Sequence, residues 1–181
     1  DTAPYEHRGT VANDYIRSFK EMWTSDSPEY NGTYAQVSNV SFYPKPIQDP
    51  HPPIWVGGES PPALRRAGQL GNAWYPIGNN PAFPMDTPER LAKGMATVRQ
   101  HAEEAGRDPE SIDFGYSAGW YNDREEQPGR DGGRLVFTGT PEQIAGDIKE
   151  FEGLGVRHLV VGLTGATPFE TLERMERFAN V

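Results

Sequence analysis

The chain has 181 residues, with 17 Lys+Arg against 26 Asp+Glu and a formal net charge of −9, a balance that argues against a nucleic-acid or anionic-membrane surface. It contains no cysteine, which excludes disulfides and thiolate metal ligation, and no apolar run approaches the ~20 residues that span a bilayer. Hydrophobic residues make up 35% of the chain, beside 20 Gly and 17 Pro, so the expectation is a soluble, cytoplasmic protein with abundant loops and a thin core.

Val11, Tyr15, Phe19, Met22 and Trp23 recur at helical steps and predict an amphipathic helix from Thr10 to about Thr24. Ser25-Asp26-Ser27-Pro28 breaks it. Tyr30, Tyr34, Val37, Val40, Phe42 and Tyr43, with turn signals at Asn31-Gly32 and Ser38-Asn39, predict a short hairpin closed by Pro44-Lys45-Pro46. Ile54-Trp55-Val56 reads as a fully buried strand. Gly57-Gly58 ends it, Ser60 is placed to cap the next helix, and Pro61-Pro62 occupy first-turn positions. Ala63, Leu64, Ala67 and Leu70 give that helix its apolar stripe, Gly71 stops it, and Asn72 to Pro76 begins a second strand.

After an irregular loop, Thr87-Pro88-Glu89 starts a helix with Leu91, Met95, Val98 and Ala102 inward. Ile112 to Tyr116 alternates as a third strand. Asn122 to Gly133 is a charged, Gly-containing loop expected to be mobile. Thr140-Pro141-Glu142-Gln143 carries the residues of a capping box, followed by Ile144, Ile148, Phe151 and Leu154 on one face. Gly155 ends this helix, His158 to Leu163 reads as a fourth buried strand, and Thr167-Pro168 opens a last helix with Leu172, Met175 and Phe178 inward. Alternating strands and helices imply parallel pairing with right-handed crossovers. Four such units cannot close a barrel, because two edges stay open. A small open α/β sheet is the structural alternative.

Two stretches carry a resemblance to a known family. Pro52 to Pro76, PPIWVGGESPPALRRAGQLGNAWYP, resembles the fifth strand, fifth helix and sixth strand of luciferase-like monooxygenases. Within that group it is most similar to oxidoreductases that use the deazaflavin coenzyme F420. Phe137 to Val161, FTGTPEQIAGDIKEFEGLGVRHLVV, resembles the family's last helix and last strand. The resemblance implies the C-terminal half of a TIM (β/α)8 barrel: residues 1–50 as a helix plus hairpin insertion, and 51–181 as barrel units five to eight. It further implies an oxidoreductase that transfers hydride with coenzyme F420 on an organic substrate. FMN with molecular oxygen, as in a monooxygenase, is the alternative cofactor chemistry. A truncated, non-catalytic flavin-binding or structural subunit is the rival of another class. The implied partners are a small-molecule substrate and the missing N-terminal barrel half or a second copy, hence a homo-oligomer.

Ligands of parallel α/β units sit at the C-terminal ends of strands. Free N–H groups at a Gly-rich helix entrance can hold an anion, and the resemblance assigns cofactor-phosphate binding to Gly57, Gly58, Glu59 and Ser60. The Glu59 carboxylate would repel a phosphate, so its backbone N–H is the expected contributor. Trp74, Tyr75 and Pro76 end the next strand at the same mouth, where an aromatic can flank a ring, although Trp74 suits the core equally. Arg124, Arg130 and Arg134 lie in the loop after the third strand as candidates for an anionic tail or substrate, and one of Arg65 and Arg66 could reach the phosphate. His7, His51, His101 and His158 show no metal spacing. No residue is assigned a catalytic role, because the family's catalytic side chains come from its first half.

Overall fold

The computed structural model describes residues 3–181. Helix α1 (Arg8–Thr24) leads into a hairpin of β1 (Tyr30–Asn31) and β2 (Gln36–Val37). Then follow β3 (Trp55–Gly57), α2 (Pro61–Leu70), β4 (Ala73–Tyr75), α3 (Pro88–Glu104), β5 (Asp113–Ser117), α4 (Pro141–Leu154), β6 (Val156–Val160) and α5 (Pro168–Phe178). The second sheet runs β3-β4-β5-β6 in chain order, and all its pairs are parallel. The expected βα alternation is therefore present, with both outer strands unpaired on one side among the described residues.

Caps set the helix starts. Thr87, Thr140 and Thr167 each accept a backbone N–H three residues on, and Thr140 with Gln143 completes a capping box. Gly155 closes α4 at φ +104°, a left-handed position that glycine adopts without strain. Strand β6 starts immediately after it, two residues earlier than expected.

The core lies between one sheet face and α2, α3 and α4. Val56, Trp74, Phe114 and Val156 form a row across the four strands on that face. Leu64, Ala67, Leu91, Met95, Val98 and Phe151 cover it from the helices. Small residues let these layers approach. A Cβ on Gly94 would lie 2.5 Å from the Trp74 ring, so the seating of α3 on the sheet depends on that glycine, and one on Gly68 would lie 2.4 Å from Val98 O, so the α2–α3 crossing depends on the other.

The opposite sheet face is open, which corrects the expected full burial of two strands. Strand β3 is half buried, because Trp55 is 43% exposed while Val56 points into the core. Strand β6 is also mostly open, with Val160 exposed. A register shift pairs Phe114 with Val156 but Gly115 with His158, and this bulge turns His158 onto the open face. There Trp55 lies across the strands, its ring centroid 5.8 Å from Tyr75 and 4.8 Å from His158. A Cβ on Gly115 would meet both Tyr75 and Trp55 below 3.0 Å.

The terminal helices differ from expectation for the same reason. Helix α5 buries no residue, and Leu172 and Met175 are exposed rather than inward. Helix α1 buries Asp14 and Ser18, whereas Tyr15, Phe19 and Trp23 stack as an outward ridge ending on His51. Beyond the contacts of Trp23 with His51 and of Phe178 with Tyr121, the apolar residues Tyr15, Phe19, Leu172 and Met175 stay exposed. Asp14 instead fastens the hairpin, accepting from the Tyr30 hydroxyl and from the Tyr34 and Ala35 N–H groups at 2.5 and 3.0 Å. The chain from 38 to 53 is irregular, so the hairpin is shorter than its aromatic content suggested.

Candidate anion site at the β3–α2 turn

The C-terminal tip of β3 carries the site. Gly58 has φ +96°, and a Cβ there would lie 3.1 Å from the Ala63 Cβ, so this turn needs glycine for both conformation and space. Trp74 supports it from below. The indole is fully buried in the core, and its Nε1–H donates to Gly58 O at 2.9 Å. Of the residues expected at the mouth, Trp74 is thus a support and presents no face to it. Tyr75 stands half-buried on the open sheet face, and Pro76 is buried.

Ser60 does not cap α2 through its side chain. The reason is local. Pro61 and Pro62 have no N–H, and the Ala63 and Leu64 N–H groups both bond to Ser60 O, at 2.8 and 3.0 Å. The helix entrance therefore presents fewer donors than its position suggests. The turn offers the Ser60 hydroxyl and the Glu59 and Ser60 N–H groups.

Gly58 and Ser60 line a recess of about 390 Å³ together with Glu6, Arg8, Gly9, Ala63 and Arg66. Arg66 is the second arginine of the pair considered from sequence. Its Nε donates to Asn13 Oδ1 at 2.5 Å and its Nη2 to Gly9 O at 2.8 Å, which ties α2 to α1, and burial lowers its pKa. Arg8 was missed in the sequence. Its guanidinium lies 4.2 Å over the Tyr5 ring and donates to Tyr5 O at 3.2 Å. Among the described residues it has no carboxylate within ion-pair distance. Hydroxyl, N–H and guanidinium donors around one recess suit a phosphate oxygen array.

Glu59 is 4% exposed, and its carboxylate points away from the recess. One oxygen accepts the Ile77 N–H at 2.8 Å and the other accepts Asn80 Nδ2 at 2.6 Å. Asn80 Oδ1 in turn accepts the Ala82 and Phe83 N–H groups at 3.0 and 3.1 Å. The carboxylate expected to repel a phosphate is thereby occupied in joining the turn to the loop after β4.

The three loop arginines do not converge on this recess. Arg134 forms a two-pronged pair with buried Asp147 at 2.8 and 2.5 Å, and the same carboxylate accepts the Phe137 N–H at 2.6 Å. Arg130 pairs with buried Asp86 at 3.0 Å. Arg124 lines a separate polar recess of about 380 Å³ with Asn122, Gln127, Arg174 and Arg177. There Arg177 is paired with Asp123, and Arg174 with Glu170 at 2.7 Å. Within the loop from Asn122 to Gly133, expected to be mobile, Arg130 pairs with Asp86 and Asp131 with Arg90, and just outside it Trp120 Nε1 donates to Val136 O at 2.8 Å.

Among the described residues no helix is long and apolar enough to cross a membrane. Compared with known proteins, the chain is 28% identical over 102 residues to an FMNH(2)-dependent dimethylsulfone monooxygenase of Pseudomonas putida, covering 56% of this chain and 28% of that one. The matched stretch covers about a quarter of the length of the curated relatives. Its fold matches an F420-dependent secondary alcohol dehydrogenase, solved with an F420-acetone adduct, at TM-score 0.70 and 16% identity, covering 89% of this chain and 58% of that one. It also matches a monooxygenase from Streptomyces bottropensis at TM-score 0.70 and 19% identity, over 98% and 61% of the two chains. These likenesses show the fold: the four parallel strands and their helices correspond to part of a luciferase-like barrel. The luciferase-like monooxygenase model matches residues 2–131, the stretch that holds β3, the Gly58 turn and α2, and the chain belongs to that family.

Proposed function

We propose that this chain supplies the cofactor-phosphate end of a luciferase-like oxidoreductase that moves hydride between coenzyme F420 and an organic substrate. The observation that carries the reading is the Gly58–Ser60 turn, with its uncommitted hydroxyl opening beside Arg8. When bound, the deazaflavin accepts or donates the hydride; the protein supplies position and electrostatics. The Ser60 hydroxyl and the Glu59 and Ser60 N–H groups hold the phosphate, and Arg8 offsets its charge. Gly57 gives the ligand an unobstructed strand tip, and Tyr75 walls the open face on the next strand.

The charge of the recess favours F420 over FMN. F420 carries a phosphodiester with one negative charge, whereas the terminal monoester of FMN approaches two. The guanidiniums of Arg8 and Arg66 beside the Glu6 carboxylate leave the recess with one formal positive charge in excess, which matches the lower charge. The FMNH(2)-dependent name of the Pseudomonas putida relative supports FMN as the second reading. The open sheet edges and the outward faces of α1 and α5 support assembly with an N-terminal barrel half or a second copy, which would complete the substrate pocket.

Fluorescence titration of the protein with F420 and with FMN tests this. Tighter binding of F420 is expected, with Ser60→Ala weakening it by about tenfold, the value of one hydrogen bond to a charged group. Binding of neither cofactor, or a Ser60→Ala affinity equal to wild type, would sink the reading.

A further inference from the structure

Glu59 is the buried carboxylate that the cofactor reading leaves without a task. Its backbone belongs to the anion turn, yet its side chain turns away and joins the loop that follows β4. Residues 59 and 77–80 belong to different βα units. The two oxygens accept one backbone and one side-chain donor, at 2.8 and 2.6 Å, and Asn80 relays the tie to Ala82 and Phe83. Trp74 holds the other side of the turn through Gly58 O. The Gly58 carbonyl and the Glu59 carboxylate are therefore both held by bonds from the second βα unit.

We propose that Glu59 is a positioning residue: its carboxylate fixes the orientation of the Glu59 and Ser60 N–H groups toward the recess by anchoring the turn to Ile77 and Asn80. The inference rests on the Gly58–Ser60 turn as the phosphate site. An N–H donor is useful to an anion only while it is aimed, and a turn with two prolines in place of helix donors has few to lose. Without the anchor, the turn keeps its residues but loses its aim. The loop after β4 is then coupled to the same carboxylate, so phosphate binding and the order of residues 77–83 rise and fall together.

Inorganic phosphate is the probe, because the recess is built wholly from this chain. Titration of the ¹⁵N-labelled protein, read at the Ser60 and Ile77 amide resonances, gives an affinity and a report from each loop. Glu59→Ala is expected to weaken phosphate by about tenfold, equivalent to one aimed charged hydrogen bond. It is also expected to abolish the phosphate-dependent shift at Ile77. Glu59→Gln alone leaves two amide donors facing each other between residues 59 and 80. The double variant Glu59→Gln/Asn80→Asp reverses donor and acceptor across the same gap, keeps the net charge, and leaves a carboxylate oxygen for Ala82 and Phe83. It is expected to restore affinity to within about twofold of wild type. A purely structural Glu59 would lower the melting temperature in Glu59→Ala with phosphate affinity unchanged, and that result overturns the proposal. Failure of the double variant to rescue, while thermal stability recovers, overturns it as well. Ser60→Ala separates the two levels: if wild type and Ser60→Ala bind phosphate alike, or wild type does not bind it, the phosphate-site reading itself falls.

Discussion

The turn after β3 and the loop after β5 occupy equivalent positions at the ends of parallel strands, yet they handle charge in opposite ways. The loop after β5 is rich in arginine, and two of its three candidates are committed to buried carboxylates, Arg134 to Asp147 and Arg130 to Asp86. The turn after β3 carries no basic residue, yet its donors are left over once α2 has formed. A binding site needs donors the fold does not use, so the abundance of arginine was the poorer guide. The paired arginines hold a long loop in shape; the unpaired hydroxyl and N–H groups remain for a ligand.

Asp147→Ala should break the contrast most severely. It strips both oxygens from Arg134 and the acceptor from the buried Phe137 N–H, a residue already held at φ +61°. A loss of about 3 kcal/mol is expected by denaturant unfolding, the scale for orphaning one member of a buried ion pair. Phosphate binding at the β3 turn should persist in the folded fraction. Gly58→Val should do the reverse. It places a β-branched residue at φ +96° against Ala63 and should cost about 1–3 kcal/mol of stability through backbone strain. Cofactor affinity should fall more than tenfold, so an unchanged affinity would count against the turn.

Asp14 sharpens the comparison through pH. The Tyr30 hydroxyl, then the Tyr34 N–H, hold its carboxyl below the usual aspartate range. Its folded pKa is therefore depressed, so the stability it contributes is full above the unfolded value, near 4, and is lost as pH falls through the folded value. Melting curves of wild type and Asp14→Asn should converge as pH drops below about 4. A constant difference across that window would show that the carboxylate is not what fastens the hairpin. Arg124→Ala should have the smallest effect, within about 0.5 kcal/mol, as for an exposed loop residue without a buried partner.

Much of this was legible in the sequence because it is local. Proline and threonine placed the starts of α3, α4 and α5, and glycine placed the ends of α2 and α4. The Gly57-Gly58 break at the tip of β3 was equally plain, since a left-handed residue between a strand and a helix leaves a chemical trace. What escaped were properties of pairs far apart in the chain. Arg8 reaches the recess from the start of α1, and Glu59 meets Asn80 across two units. The burial of β3 and β6 was overestimated because an apolar strand reads alike whether its second face is covered or open. The apolar stripe of α5 was read correctly as a stripe, but among the described residues only its Phe178 end is met, by the Tyr121 ring, while Leu172 and Met175 stay exposed.

The sequence by itself determined the order of elements, the parallel βα alternation, the helix caps and the glycine turn, since each depends on dihedral preference and hydrogen bonding within a few residues. Only the tertiary structure decided which donors remain for a ligand. Arg130 and Arg134 are committed by Asp86 and Asp147, which other parts of the chain bring beside them, while Arg8 and Ser60 share one recess only once α1 and α2 have packed.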